Sequence, residues 1–469
     1  MKRPFWRRVA AGGGDRPASV RPMVRAALQW PGAGIVGLTA AGLALRVWGL
    51  WWGAPDRINL HPDEMNHVVE HADRVLQKVT SVLRGQAAFG VDTLDPGFLN
   101  YPSFLGYLIV SISGVLRAVG LMGEGIWQLH IVGRMVSAAF GAGTVAVVFL
   151  IVLELGASRL AAVLASTWMA LMPLHVWESH VAVTDVMMTF WIAMTLLAAL
   201  RVLRTGNNQA YLLAGISLGL ATGSKYTALL AAVAVVAAAG LSGRKLGATL
   251  RGLTLTAVVA LLCCFLVTPY SFLRFGDFLD AMAYEYRHAR SMQDGFSLPA
   301  AGPQYRKYVY QIVAAWPFSL GFPLYASVAA GVVWGFAAMD RRRAVLLSFA
   351  AMFFAVTGSW QFTPLRYYMP ILVVGVVFAG LWQAAWLASP VAWRRAVART
   401  VVLVTLVYTT IFTAQTTARF RHDTRIQAGE WIGRHVQEGS RLVMIGSRSY
   451  VGTPPVEQNY DIGFLDHSM

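Results

Sequence analysis

The chain has 469 residues, 56% of them hydrophobic and only 13% charged, with a formal net charge of +16. Soluble domains carry roughly 25% charged residues, whereas here apolar runs of about 20 residues, enough to cross a hydrocarbon core about 30 Å thick, recur between residues 33 and 415. The composition therefore excludes a string of soluble domains and describes a polytopic membrane protein. The basic residues sit in short clusters between apolar runs, as cytoplasmic loops do, which argues against a nucleic-acid-binding protein.

In chain order, residues 1–32 form a basic N-terminus, with seven basic residues and one acid in the first 25. The apolar run 33–52 follows and ends in Trp51 and Trp52, aromatic residues of the kind found at a membrane interface. The charged region is longer than that of a signal peptide, and no small-residue cleavage site follows it. The expectation is a retained signal-anchor helix with its N-terminus in the cytoplasm.

Residues 53–130 read as a large first extracytoplasmic loop. It opens on NLHPDEMNHVVEHADR, residues 59–74, which puts three histidines and four acids into sixteen positions. Pro62 suits the first turn of a helix, where its missing N–H costs nothing. On a regular helix Glu64, His67 and His71, spaced i, i+3 and i+7, share one face. A carboxylate and two imidazoles so spaced could hold a divalent metal with an open position; the other reading is a solvated helix with ordinary salt links. Asp63, beside that face, is suited to general-base work on a hydroxyl or amine just outside the bilayer. The alternative is a helix N-terminal acid that favours the macrodipole.

The run 101–120 poses a parity question. If it crosses the membrane, the basic clusters Arg201/Arg204, Arg244/Lys245/Arg251, Arg341/Arg342/Arg343 and Arg394/Arg395/Arg399 all face outward. If it lies along the outer surface, all four face the cytoplasm, as Lys and Arg in short loops do. The second arrangement is preferred, with an interfacial or re-entrant helix packed on the bundle. The expected spans are 33–52, 131–153, 159–177, 186–203, 209–223, 226–241, 250–268, 315–338, 344–358, 366–388 and 397–415, eleven in all. Cys263 and Cys264 are adjacent inside one of them, which fits neither a disulfide framework nor a zinc knuckle. Residues 416–469 form a short extracytoplasmic segment, a helix and then a strand at RLVMIGS, too small for a core of its own.

Ionisable groups at or within spans are costly, and so are functional candidates. Asp185 stands at the outer mouth of the fourth span, with His175, Glu178 and His180 near it in sequence. Lys225 falls in an outer turn, where the charge bias disfavours it, and Arg366 opens a span on the same face. An Arg fork and a Lys point charge there could clamp a lipid phosphate; taken singly, each could also snorkel to headgroups. Arg46 and Arg134 are weaker members of the set. Carboxylates and cations together at the outer bilayer surface suit a lipid-linked phosphate substrate, the cations stabilising charge on the leaving phosphate. The chain has no glycine-rich nucleotide loop.

LRVWGL, HPDE at 61–64, YPSFLGYL at 101–108, GRMVSAAFG at 133–141, AVTDVMMTF at 182–190, GLATGSKYTALL at 219–230 and RYYMP at 366–370 together resemble the C-type (GT-C) membrane glycosyltransferases. The similarity is greatest to the protein O-mannosyltransferase and aminoarabinose (lipid A) transferase group, over roughly residues 40 to 435. The resemblance implies an all-α GT-C fold, with a transmembrane domain at 33–415 and helices lying along the membrane in the first outer loop. It implies a sugar donor on polyprenyl phosphate and transfer, on the extracytoplasmic side of the inner (plasma) membrane, to a lipid, glycan or protein acceptor. It further implies Asp63 as catalytic base, Asp185 as the second acid, Lys225 and Arg366 near the donor phosphate, and a possible metal at Glu64 and the histidines. The chain departs from the family at Tyr101–Pro102, where relatives have Lys-Pro or His-Pro. Rival readings are a flippase for a lipid-linked sugar, disfavoured by the scarcity of charge in mid-span, and a non-catalytic subunit of an envelope complex, which would need neither aspartate.

Overall fold

The computed structural model describes residues 31–53, 61–290, 306–362, 364–445, 456 and 459–465. The basic stretch expected at 1–32 lies almost wholly outside the described residues. The rest is a helical bundle, as hydrocarbon demands of a chain that must satisfy its backbone internally.

The helices are α1 (Pro31–Val47), α2 (62–83), α3 (Phe104–Ala118), α4 (Ile126–Glu154), α5 (Arg159–Leu171), α6 (Pro173–Glu178), α7 (Thr184–Thr205), α8 (Asn208–Ser224), α9 (Tyr226–Leu241), α10 (Leu246–Val267) and α11 (Phe275–His288). They continue with α12 (Gln311–Leu320), α13 (Phe322–Ala337), α14 (Arg341–Thr357), α15 (Leu365–Leu387), α16 (Ala392–Ala418) and α17 (Thr424–His435). Five of them, α4, α7, α10, α15 and α16, are long and apolar enough to cross a membrane by themselves. Two parallel strands, β1 (Arg441–Ile445) and β2 (Asp461–Leu465), pair in register from Arg441↔Asp461 to Ile445↔Leu465.

α15 is the axis of the bundle. Every residue from Met369 to Ala384 is buried, as expected of a helix that is apolar on all sides. Small residues let its neighbours approach to backbone contact. A Cβ on Gly380 would lie 2.6 Å from the Ala165 nitrogen of α5, and one on Gly331 of α13 would lie 2.6 Å from the Phe378 carbonyl. α10 and α16 lie at the periphery, with Leu261, Leu262, Leu266, Leu403, Val407 and Ile411 exposed.

The two ends of the bundle differ in chemistry. At one end Glu154, closing α4, pairs with Arg204 at the end of α7. There Arg342 donates to the Leu155 carbonyl at 2.8 Å, and Arg244 to the Val202 and Arg204 carbonyls at 3.3 Å each. Three of the basic clusters thus meet at one end. α3 starts and finishes at the other end. Ser103 N–H donates to Thr268 Oγ1 at the end of α10 (3.4 Å), and Glu124, just before α4, accepts from Arg84 at the end of α2 (2.8 Å). With 15 residues, α3 is about 22 Å long at 1.5 Å per residue.

The C-terminal segment begins at that same end. Asp423, capping α17, accepts from Trp52 Nε1 at 2.9 Å, and Phe420 packs on Trp52, Trp177 and His180.

A buried ion pair ties the first turn of α2 to α4. Arg134 on α4 donates through Nε and Nη2 to the two oxygens of Glu64, both at 2.7 Å, and through Nη1 to the Leu50 and Trp52 carbonyls at 2.9 and 2.5 Å. Glu64 also accepts from Ala182 N–H at 2.9 Å. Both side chains are essentially without solvent exposure. Burial alone would raise the Glu64 carboxyl, but the Arg134 charge and hydrogen bonds hold it well below the usual carboxylate range. Removing one member of such a pair strands the other charge, at a cost of about 3–5 kcal/mol. Arg134→Met should therefore lower the thermal stability of the detergent-solubilised protein sharply, and the double variant Glu64→Gln/Arg134→Met should recover part of the loss. A single Arg134→Met variant that melts like wild type would contradict this role.

Candidate active site

The active-site candidates gather at the end of the bundle opposite the basic clusters. Successive residues of a helix point about 100° apart, so Asp63 and Glu64 aim at different partners. Glu64 turns into the bundle, and Asp63, 19% exposed, turns toward α15. Arg366, in the first turn of α15, donates through Nη2 to Asp63 Oδ2. Its Nε lies 3.7 Å from Asp185 Oδ2 at the start of α7. Asp185 Oδ1 accepts from Lys225 Nζ at 2.8 Å. Lys225 ends α8 in an extended conformation (φ −157°, ψ 130°), which breaks the helix and turns the side chain inward. Its ammonium lies 4.1 Å from the centre of the Tyr367 ring and 5.6 Å from that of Tyr101, within range of a cation–π attraction.

Four sequence candidates from four segments, Asp63, Asp185, Lys225 and Arg366, thus form one continuous chain of alternating charge. His67 extends it, with Nδ1 at 3.5 Å from Asp63 Oδ1. Burial would raise the Asp63 carboxyl, but the His67 hydrogen bond and the Arg366 charge hold it well below the usual range. His61 is pushed down to about 4, first by burial and then by Arg366, so its imidazole is neutral at pH 7.

Beside Lys225 lies a cavity of about 440 Å3. Tyr101, Tyr226, Met282, Trp360 and Tyr367 make much of its wall apolar, and Asn100 and Glu285 add polar groups, the two joined by a hydrogen bond of 2.9 Å. Such a cavity, with charge at one end, suits an amphiphile whose polar head meets the ion chain.

Two expected groups are not brought to this chain of charges. Arg134, expected among the phosphate-binding cations, has its guanidinium engaged by Glu64 and two carbonyls and is 1% exposed. It anchors α2 and does not face the cavity. The proposed metal set Glu64, His67 and His71 does not converge. A π-helical turn at Met65–Val69 turns less per residue than an α-helix, which takes Glu64 off the histidine face. Both imidazoles instead stack on Phe98, at 5.3 and 4.6 Å, and His71 Nδ1 contacts the Pro96 carbonyl at 2.9 Å. Among the described residues no group of three His, Cys, Asp or Glu is placed to hold a metal, so no step is derived through one.

Tyr367 has no mark in the sequence beyond its place after Arg366 at a span mouth. Glu178 is marked only by its nearness to Asp185. That side chain is 6% exposed, and its carboxyl is raised to about 7, by burial first.

Residues 130–280 match the dolichyl-phosphate-mannose-protein mannosyltransferase family, a stretch that holds Asp185 and Lys225. No curated protein matches the sequence. Among solved structures the chain resembles ArnT from Cupriavidus metallidurans bound to undecaprenyl phosphate, with a TM-score of 0.57, 14% identity, and coverage of 94% of this chain and 87% of that one. It also resembles the apo oligosaccharyltransferase of Archaeoglobus fulgidus, with a TM-score of 0.56, 14% identity and coverage of 87% and 58%. A third match is the archaeal oligosaccharyltransferase AglB of the same organism with an inhibitory peptide and a dolichol-phosphate, with a TM-score of 0.54, 15% identity and coverage of 86% and 58%. The chain spans little more than half the length of these oligosaccharyltransferase chains. The chain thus shares the fold of these membrane glycosyltransferases, and about a third of it matches the family model.

Proposed function

We propose that the protein is an inner-membrane glycosyltransferase that moves a sugar from a polyprenyl-phosphate donor to an extracytoplasmic lipid, glycan or protein acceptor. The observation that carries this reading is the chain Asp63–Arg366–Asp185–Lys225 beside an amphiphile-sized cavity. It is supported by the family match at 130–280 and by likeness to folds solved with undecaprenyl phosphate and dolichol-phosphate.

In this reading the donor phosphate takes up donors of Arg366 and Lys225. Arg366 loosens its hold on Asp63, and the carboxylate regains basicity that the guanidinium had suppressed. The acceptor oxygen or nitrogen attacks the anomeric carbon, and Asp63 takes its proton. The bond from that carbon to the phosphate oxygen breaks, and the phosphate leaves with the electron pair, its new charge stabilised by Lys225 and Arg366. A single displacement inverts the anomeric centre. Asp185 positions both cations.

The topology follows the same logic. The basic clusters at the far end face the cytoplasm, eleven segments cross, and α3, which starts and finishes at the opposite end, lies along the outer surface. Reporter fusions at residues 122 and 205 should then report opposite sides, 122 outside and 205 inside; the same side for both would contradict the arrangement.

Loss of a positioned general base costs about 10²–10⁴-fold. Asp63→Asn should lower transfer from lipid-linked mannose in membrane vesicles by that range. Asp185→Asn should lower it too, with a higher KM for the donor as the cations lose their anchor. Wild-type rates in both variants would rule out the mechanism.

A further inference from the structure

One buried acid beside the ion chain has no role in the mechanism above. Glu178 is the last residue of α6, a short helix that packs on α7, which carries Asp185, and on the first turn of α15, which carries Arg366. Its side chain is 6% exposed, and its Oε2 has no hydrogen-bond partner among the described residues. The charges of Arg366, Asp185, Asp63 and Lys225 act on its carboxyl. On its own side of the bundle, His175 is engaged by Arg46 of α1 at 3.1 Å, and His180 contacts the Val176 and Trp48 carbonyls. None of these offers Glu178 a counter-ion.

Counting charges makes the consequence plain. Asp63 and Asp185 already balance Arg366 and Lys225. An ionised Glu178 leaves three carboxylates against two cations before any substrate arrives, in a site sheltered from water. An anionic donor would add a further negative charge to that excess. A neutral Glu178 removes the excess and presents an O–H that can donate to an oxygen of the site.

We propose that Glu178 is a positioning residue that keeps the site receptive to an anionic lipid phosphate by staying protonated, and that its ionisation weakens donor binding. The inference rests on the donor reading given above. Its acidity agrees with the role: burial raises the carboxyl to about 7, so the neutral form dominates below that pH and the charged form above it. Donor affinity is therefore highest on the acid side and falls as pH rises through about 7.

The test uses the full-length protein in detergent and undecaprenyl phosphoryl mannose, a phosphodiester whose single charge does not change over the range used. Its Kd is measured at pH 6.0 and 8.5 for wild type and for Glu178→Gln, which cannot ionise. Wild type should bind roughly tenfold more weakly at the higher pH, the order expected for one added like charge in a partly buried site, and Glu178→Gln should bind with nearly equal affinity at both. His67 is an imidazole 3.5 Å from Asp63, so the variant carries the assignment, not the wild-type slope. If Glu178→Gln does not yield folded protein, Glu178→Leu carries the same expectation. A pH-independent wild type, or a variant that keeps the full wild-type slope, overturns the proposal. Failure of wild type to bind the lipid at either pH overturns the donor reading itself, and this inference with it.

Discussion

One guanidinium organises the site. Arg366 touches the carboxylate of Asp63 from the first turn of α2 and faces Asp185 from α7, while Lys225 closes the row on the far side of Asp185. Arg suits this place because its planar fork can serve two carboxylates, or one carboxylate and one phosphate, without losing charge. Ion pairs in a sheltered site gain little net stability, because desolvation offsets attraction. In the proposed mechanism their value lies in exchange: an incoming phosphate replaces a carboxylate on the guanidinium, and the carboxylate it frees is the base.

The bundle exists to hold that row steady. The start of α7, the end of α8 and the start of α15 all come to one end because consecutive helices run up and down, and α15 lies fully buried among them. The loop residue Asp63 has no such frame of its own. It borrows one from Glu64, its neighbour in sequence, whose carboxylate is locked on Arg134. Adjacent acids thus divide the work: Glu64 fastens the segment to Arg134, and Asp63 meets Arg366.

Much of this was legible in the sequence, and for one reason. Charge at the edge of an apolar run is expensive, so Asp63, Asp185, Lys225 and Arg366 stood out individually, and the distribution of Arg in loops put them on one side. The helical character of the chain followed from its apolar runs, and five helices are long and apolar enough to span a membrane; α12 and α13, broken at Gly321 with φ +75°, stand where the sequence suggests a single span over 315–338. Partner identity was not legible. Glu64, His67 and His71 share a face only if the helix is regular, and the π turn at Met65–Val69 has no sequence mark of its own. Arg134 read as a free cation because nothing local in its sequence shows that a carboxylate 70 residues away consumes it. Glu178 read as one more polar residue near Asp185, since its seclusion depends on how α6 packs.

The exchange of partners at Arg366 can be seen in a structure of the protein with undecaprenyl phosphate. The phosphate should lie within hydrogen-bond distance, about 3 Å, of both the Arg366 guanidinium and the Lys225 ammonium, with the Asp63 carboxylate released from Arg366. A phosphate bound elsewhere, or bound with the Asp63–Arg366 and Asp185–Lys225 pairs both intact and untouched, would contradict it.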